Sequence, residues 1–267
     1  MKNIIYYFTG TGNSLAAAKK IATVIGDCEL IPIGSLMDTP GRIIPAAERV
    51  GIACPVYFYG LPAMVASFAG RLHLTGAGYV FAVLTFGGGG GSSTLRQLDG
   101  ILRAHSSRGL DAGFMVKMPG NYIRMYESPG GEKRDTLLAA ADNAIARVAD
   151  TVRQCRKQEL PRSFLEQLIH PLVYSWFISR VHGDDRKFTV SEKCTSCGIC
   201  VAICPAGNIE LVDTKPVWKH RCESCCGCIH LCPVQAIQAG TGTEKRLRYR
   251  NPDITVAELK IQKEKRP

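Results

Sequence analysis

The sequence predicts an α/β chain in two parts: a doubly wound, parallel-sheet domain followed by a small α+β domain. Three observations carry this expectation. Strand-like and helix-like runs alternate through the first 157 residues, the pattern of a parallel sheet with helices on both faces. Nine of the twelve cysteines fall between Cys194 and Cys232. That cysteine-rich segment is also written twice, each cysteine of the first run recurring 28 positions later. The expected divisions are 1–157 for the sheet domain, 158–184 for a linker helix, 185–240 for the cysteine-rich domain and 241–267 for a basic tail.

Composition narrows the class. Of 267 residues, 46% are hydrophobic and 21% charged, the balance of a globular protein rather than a disordered or fibrous one. The 33 lysines and arginines against 23 acids give a formal charge of +10. No apolar run reaches about 18 residues, so no membrane insertion is expected. The nearest approach, 164–181, is interrupted by Glu166, His170, Pro171 and Arg180. The opening M-K-N-I-I-Y-Y-F carries no cleavage pattern. A reducing, cytoplasmic compartment is therefore expected, where clustered cysteines read as metal or redox sites.

The first strand is expected over 3–8 and the first helix over 14–25, with Leu15, Ala18, Ile21, Ala22 and Ile25 as its apolar face. Between them lie Thr9, Gly10, Thr11, Gly12, Asn13 and Ser14. Hydroxyls and backbone N–H groups gathered at a helix start form an anion cradle. The loop lacks the lysine of a nucleoside-triphosphate loop and the glycine spacing of a dinucleotide fingerprint. Later strands are expected at 29–33, 50–54, 79–86 and 111–117, and helices at 61–68, 93–105 and 132–157.

Ligands of such sheets bind beyond the carboxyl ends of the strands. Two further loops fall there. Pro55, Val56, Tyr57, Phe58, Tyr59 and Gly60 form an aromatic loop, suited to covering a flat, apolar-faced group. Thr85 and Phe86 lead into five glycines that begin Gly87, Gly88, Gly89, where backbone without side chains can approach a ring edge. The segment 118–122 could also reach this end of the sheet. Cys54 reads as a small buried residue rather than a nucleophile. No paired-histidine motif or serine elbow occurs, so nothing points to hydrolysis.

The linker carries Leu165, Leu168, Ile169, Leu172, Val173, Trp176, Phe177 and Val181 as an apolar stripe, expected to break at Pro171 and to pack between the domains. The other reading is a docking face for a partner or a membrane surface. The tail from Thr241 has eight basic and four acidic residues and is expected to wrap the domain as a solvated segment.

The first cysteine run is Cys194, Cys197, Cys200 and Cys204, followed by Pro205, and the second is Cys222, Cys225, Cys228 and Cys232, followed by Pro233. Both read C-x2-C-x2-C-x3-C-P, which resembles the bacterial two-cluster ferredoxins. In that pattern the fourth cysteine of each run ligates the other cluster. The resemblance therefore implies Cys194, Cys197, Cys200 and Cys232 for one [4Fe-4S] cluster, and Cys222, Cys225, Cys228 and Cys204 for the other. Two zinc sites are the alternative, although zinc seldom takes three successive short spacings ending in Cys-Pro. Cys226 stands where the first run has Gly198 and could compete with Cys225. Pro216, Val217 and Trp218, between the runs, are expected to shield a cluster.

The N-terminal segment resembles flavodoxins through Tyr7, Thr9, Gly12, Ser14 and Ala18, with Ser14 in place of the usual threonine. That resemblance implies that residues 9–14 hold the phosphate of FMN and that the 55–60 and 85–89 loops line its ring. Taken whole, the chain resembles flavodoxin–ferredoxin fusion proteins. The function this implies is electron transfer between two [4Fe-4S] clusters and FMN, and onward to protein redox partners. The alternative is an FMN-dependent reductase of a small oxidant such as a quinone, a flavin or oxygen. Thiolates, cubes and FMN phosphate together would bring the formal charge down to about +4. Much of the basicity then serves the cofactors, and no nucleic-acid partner is expected.

Overall fold

The computed structural model describes residues 2–106 and 108–263. Residues 264–267 of the basic tail lie outside the described residues. Strand β1 (Asn3–Tyr7) is buried along its whole length, as only a strand inside a sheet covered on both faces can be. Helix α1 (Asn13–Ile25) follows and ends at Gly26, whose N–H still donates to the Ala22 carbonyl and whose φ of 64° turns the chain out of the helix. Then come β2 (Cys28–Pro32), β3 (Arg49–Pro55), α2 (Ala63–Arg71), β4 (Tyr79–Phe86), α3 (Gly91–Ser106), β5 (Ala112–Lys117) and α4 (Gly131–Arg153). The sheet order is β2-β1-β3-β4-β5, with every pair parallel. This is the doubly wound, flavodoxin-like order, and the chain reverses its direction of winding between β1 and β3.

Alternation along β1 builds two cores. Ile5 and Tyr7 face α1 and α4, packing with Leu15, Ile21, Ile145 and Val152. Ile4, Tyr6 and, just past the strand, Phe8 face α2 and α3, packing with Val65, Phe68, Leu98 and Leu102. Cys54 belongs to the second core and is fully buried, which pushes its thiol well above its ordinary pKa.

Helix α5 (Phe164–Ile178) connects to the small domain and differs from the sequence expectation twice. It runs unbroken through Pro171. Its inward side is pinned in the turns before the proline: Glu166 accepts the N–H groups of Gly90 and Ser93, and the His170 ring lies 2.8 Å from the Tyr59 carbonyl oxygen. Those anchors offset the hydrogen bond a proline removes. The apolar stripe is also not packed between the domains. Among its members Phe177 and Val181 are buried, but Leu165, Leu168, Leu172 and Trp176 are exposed. The polar anchors occupy the inward side and turn the larger aliphatic side chains out.

The small domain contains β6 (Phe188–Val190), α6 (Ile199–Ala202), β7 (Ile209–Val212), β8 (Lys215–Trp218), α7 (Gly227–His230) and β9 (Ile237–Ala239). β6 pairs with β9 and β7 with β8, both antiparallel. The sequence duplication is repeated in the backbone. Ser196 and Ser224 have φ of 57° and 54°, Gly198 and Cys226 of 71° and 57°. The N–H of Asn208 donates to the Cys204 sulfur, and the N–H of Ala236 to the Cys232 sulfur. Ile123, from the loop after β5, is fully buried within the small core of Phe188, Cys222, Cys226, Ile229, Ile237 and Ala239.

The tail returns to the sheet domain. Tyr249, Ile254 and Leu259 are buried, so the segment wraps the domain as expected but as part of the core rather than as a solvated strap. It ends in α8 (Val256–Lys260), opened by a capping box of Thr255 and Glu258. Lys19 on α1 pairs with Glu258, and that ammonium, then the Thr255 N–H, hold its carboxyl down to about 2. Among the described residues no helix is long and apolar enough to cross a membrane.

Candidate functional site

The strand order places the switch point between β1 and β3, and a cleft of about 180 Å³ lies there at the carboxyl ends of the strands. Thr9, Gly10, Thr11, Asn13 and Ser14 line it from the β1–α1 loop. Pro55, Val56, Tyr57 and Phe58 line it from the end of β3 and the loop after it, and Thr85, Phe86 and Gly87 from the end of β4 and its loop.

The first of these loops has the chemistry of an anion cradle. No side chain caps the thirteen-residue α1, and its first turn carries no acid, which leaves the positive end of the helix open to an anion. Thr9, Thr11 and Ser14 bring hydroxyls, and the Ser14 and Thr85 hydroxyls are hydrogen-bonded at 2.8 Å. Gly12 lies behind the cradle instead. Its φ of 104° and its N–H bond to the Thr9 hydroxyl turn it toward Ile254 and Asn251.

The aromatic loop is a tight two-residue turn. Tyr57 and Gly60 exchange both backbone hydrogen bonds at 2.9 Å, and between them Phe58 and Tyr59 have φ of 46° and 66°. Left-handed backbone at both central positions is the type I′ geometry, which favours glycine and asparagine and costs other residues about 1–2 kcal/mol each. The turn sends the two rings apart. Phe58 faces the cleft, stacked on Phe177 at 4.7 Å and edge-on to Tyr122 at 5.3 Å. Tyr59 and Gly60 leave the cleft: Tyr59 packs on Gly89 and Gly90, and Gly60 on the Tyr174 ring. Of the five glycines, Gly87 alone lines the cleft. Gly88 and Gly89 are solvent-exposed because Gly90 is tied to Glu166 and turns the run toward α3.

Several lining residues lie outside the expected loops. Pro119, Gly120, Asn121 and Tyr122 follow β5 as the sequence allowed, while Met125, Tyr126, Phe177 and Ser224 were not foreseen. The cradle is also clamped by the tail. Tyr249 donates to the Asn13 side-chain oxygen at 2.6 Å, the Asn251 N–H to the Thr11 carbonyl at 2.8 Å, and the Thr9 N–H to Gln262 at 3.2 Å. Asn121 donates to the Thr11 hydroxyl at 2.9 Å.

The cysteines surround two further hollows. Cys194, Cys197, Cys200 and Cys232 line one, and Cys204, Cys222, Cys225 and Cys228 line another. Pro216 lines the first and Trp218 the second, while Val217 points to solvent. Cys226 also touches the second hollow, but its largest electrostatic neighbours are Arg124 and Asp184. For Cys225 the first such neighbour is Cys204. Among the described residues no three or more Cys, His, Asp or Glu side chains converge on a single-ion position. Burial pushes the Cys200 thiol up to about 11, and those of Cys222, Cys225 and Cys228 higher still. Such thiols become ligands when a metal displaces their protons, which are released to solvent.

The second hollow abuts the cleft. A Cβ on Gly10 would overlap the carbonyl oxygen of Cys225, and one on Gly227 would come within 2.9 Å of the Gly10 carbonyl oxygen. Ser224, between Cys222 and Cys225, lines the cleft itself. Among the described residues the buried Tyr57 hydroxyl has no hydrogen-bond partner, and burial, then the neighbouring Cys225 and Cys226, push its phenol well above its ordinary range. His230 on α7 accepts the Tyr249 N–H on Nδ1, so Nε2 carries the proton donated to the Asn121 carbonyl at 2.7 Å. One imidazole thereby joins tail, cleft loop and cysteine domain.

No curated protein matches this sequence. Solved structures match the N-terminal part. A flavoprotein from Lactobacillus acidophilus, in complex with FMN, is 12% identical over 43% of this chain and 92% of its own, with a TM-score of 0.33. A flavodoxin from the Archaea is 16% identical over 57% and 99%, with a TM-score of 0.31. An FMN-dependent NADH-azoreductase from Bacillus anthracis, in complex with FMN, is 10% identical over 57% and 100%, with a TM-score of 0.40. The fold rests on the strand order rather than on these scores. The 4Fe-4S binding domain family, Fer4, matches residues 189–210, which contain the first cysteine run. The chain thus joins a flavodoxin-like sheet domain to a segment that matches 4Fe-4S binding domains.

Proposed function

We propose that this chain is an electron-transfer protein that holds two [4Fe-4S] clusters and one FMN. The observation that carries the reading is the contact of the Gly10 cradle with the Cys225 loop, which sets a cysteine hollow directly against the cleft. When bound, the clusters supply one-electron exchange, and FMN supplies one- or two-electron exchange. Cys194, Cys197, Cys200 and Cys232 would hold the outer cluster, and Cys204, Cys222, Cys225 and Cys228 the inner one. In each hollow four cysteines surround a space rather than converging on one point, as zinc would draw their sulfurs to about 2.3 Å, which suits a cube better.

In the cleft, the open end of α1 and the hydroxyls of Thr9, Thr11 and Ser14 would take the FMN phosphate. Phe58 and Tyr122 would wall the ring, and the unpartnered Tyr57 hydroxyl offers a hydrogen bond from the side nearest the inner hollow. Cys197, beside the outer hollow, is exposed, which suits exchange with a protein partner.

The second reading, a reductase of a small oxidant, has one observation in its favour. The cleft continues past Gly87, Gly120 and Tyr126 into an open groove that carries Lys117 and Lys133. That groove leaves room beside the flavin for another small molecule.

Rapid photoreduction of the cluster-loaded, flavin-loaded protein under anaerobic conditions separates an internal relay from chance encounter. Flavin bleaching should follow cluster reduction at a rate independent of protein concentration. A rate proportional to concentration, or bleaching only with an added mediator, would contradict the reading.

A further inference from the structure

The outer face of α5 is a large apolar surface that the cofactor sites do not use. Phe164, Leu165, Leu168, Leu172 and Trp176 are 78%, 65%, 55%, 77% and 52% exposed. Their spacing of three and four puts them on one stripe of a fifteen-residue helix, about 22 Å long. The stripe presents no carboxylate. Glu166, the one acid in the helix, is turned inward onto the N–H groups of Gly90 and Ser93 at 2.8 and 3.0 Å. Exposed arginines bracket the helix: Arg162 just before it and Arg180 just after. The Arg180 guanidinium lies 5.2 Å from the Trp176 ring centroid. Among the described residues neither arginine joins an ion pair.

We propose that α5 docks the protein on an anionic lipid surface. An apolar stripe with a tryptophan, cations at both ends and no exposed acid is what a helix lying in the headgroup layer requires. The charges disfavour a second copy of this chain as the occupant. Parallel packing of two α5 helices sets like arginines side by side, and antiparallel packing sets Arg162 against Arg180. Docking would also bring the cleft to the lipid boundary. Trp176 contacts Phe58 at 5.8 Å, and Phe177 on the same helix lines the cleft. An apolar oxidant dissolved in lipid would then be concentrated beside the cleft. This last consequence rests on the reductase reading, whereas the docking itself does not.

The test is sedimentation of the full, cofactor-loaded chain with vesicles of phosphatidylcholine alone or mixed with phosphatidylglycerol. The protein should sediment with the anionic vesicles, at least tenfold more weakly with the neutral ones, and less as salt is raised. The double variant Leu168→Glu, Leu172→Glu should lose at least tenfold in vesicle affinity while keeping its visible spectrum and iron content, because both side chains face solvent. Arg162→Gln with Arg180→Gln should narrow the gap between the two lipid mixtures. Failure to bind anionic vesicles, or binding undiminished in the leucine variant, would overturn the proposal. So would a wild-type dimer that the leucine variant dissociates. Flavin content is measured on the same samples, so vesicle binding by a flavin-free protein would overturn the flavin reading and leave the docking standing.

Discussion

Replacing Cys204 with alanine should remove the cluster whose other three ligands lie in the second run. Total iron should fall from about eight to about four per chain. Cys204 belongs to the first run but lines the hollow of Cys222, Cys225 and Cys228, while Cys232 of the second run lines that of Cys194, Cys197 and Cys200. Crossed ligation has a consequence that an uncrossed arrangement cannot imitate. Cys204→Ala combined with Cys222→Ala should cost no more iron than either alone, because both strip the same cluster. Cys204→Ala combined with Cys194→Ala should remove nearly all of it. Non-additive loss identifies residues that act on one unit, and additive loss identifies independent ones. If the two pairings behave the other way round, each run holds its own cluster and the two hollows are misassigned.

Gly10→Ala should impair cleft and inner hollow together. The added methyl meets the Cys225 backbone, which cannot swing aside as a flexible side chain can. Overpacking of this kind costs about 1–3 kcal/mol. Relief comes by parting the cradle from the Cys225 loop, so the cost should appear as FMN affinity lowered roughly five- to hundredfold. The concentration-independent bleaching of the flavin should slow in the same variant. Gly88→Ala is the matched control: its Cβ would meet nothing within 4 Å, and both measurements should be unchanged. Equal effects from the two substitutions would mean that the contact between cradle and cysteine loop has no functional consequence.

Much of this was legible in sequence because it is local or periodic. The alternation that gave β1, α1 and β4 follows from burial on two sheet faces, and the spacing of 28 returns as paired backbone angles at Ser196 and Ser224. What escaped is long-range. Tyr249 reaches Asn13 across 236 positions, and nothing near Tyr249 marks it as part of a cradle. Ser224 and Phe177 enter the cleft only because the cysteine domain and α5 dock there. The Phe58-Tyr59 turn escaped for another reason: its residues are poor choices for left-handed backbone, so local preference argues against the conformation they hold. Such strain is retained where surrounding contacts over-determine it, here the Phe177 stack and the Gly90 contact of Tyr59. The exposed face of α5 was misjudged because a hydrophobic stripe specifies that a helix has two sides, not which one is turned inward.

The central claim is that one chain holds both kinds of redox cofactor in contact. Its most direct test is the content of iron, acid-labile sulfide and FMN per chain after anaerobic purification. About eight irons, eight sulfides and one FMN are predicted. Full iron without flavin, even after FMN is supplied, would contradict the cleft assignment, and zinc in place of iron would contradict the account as a whole.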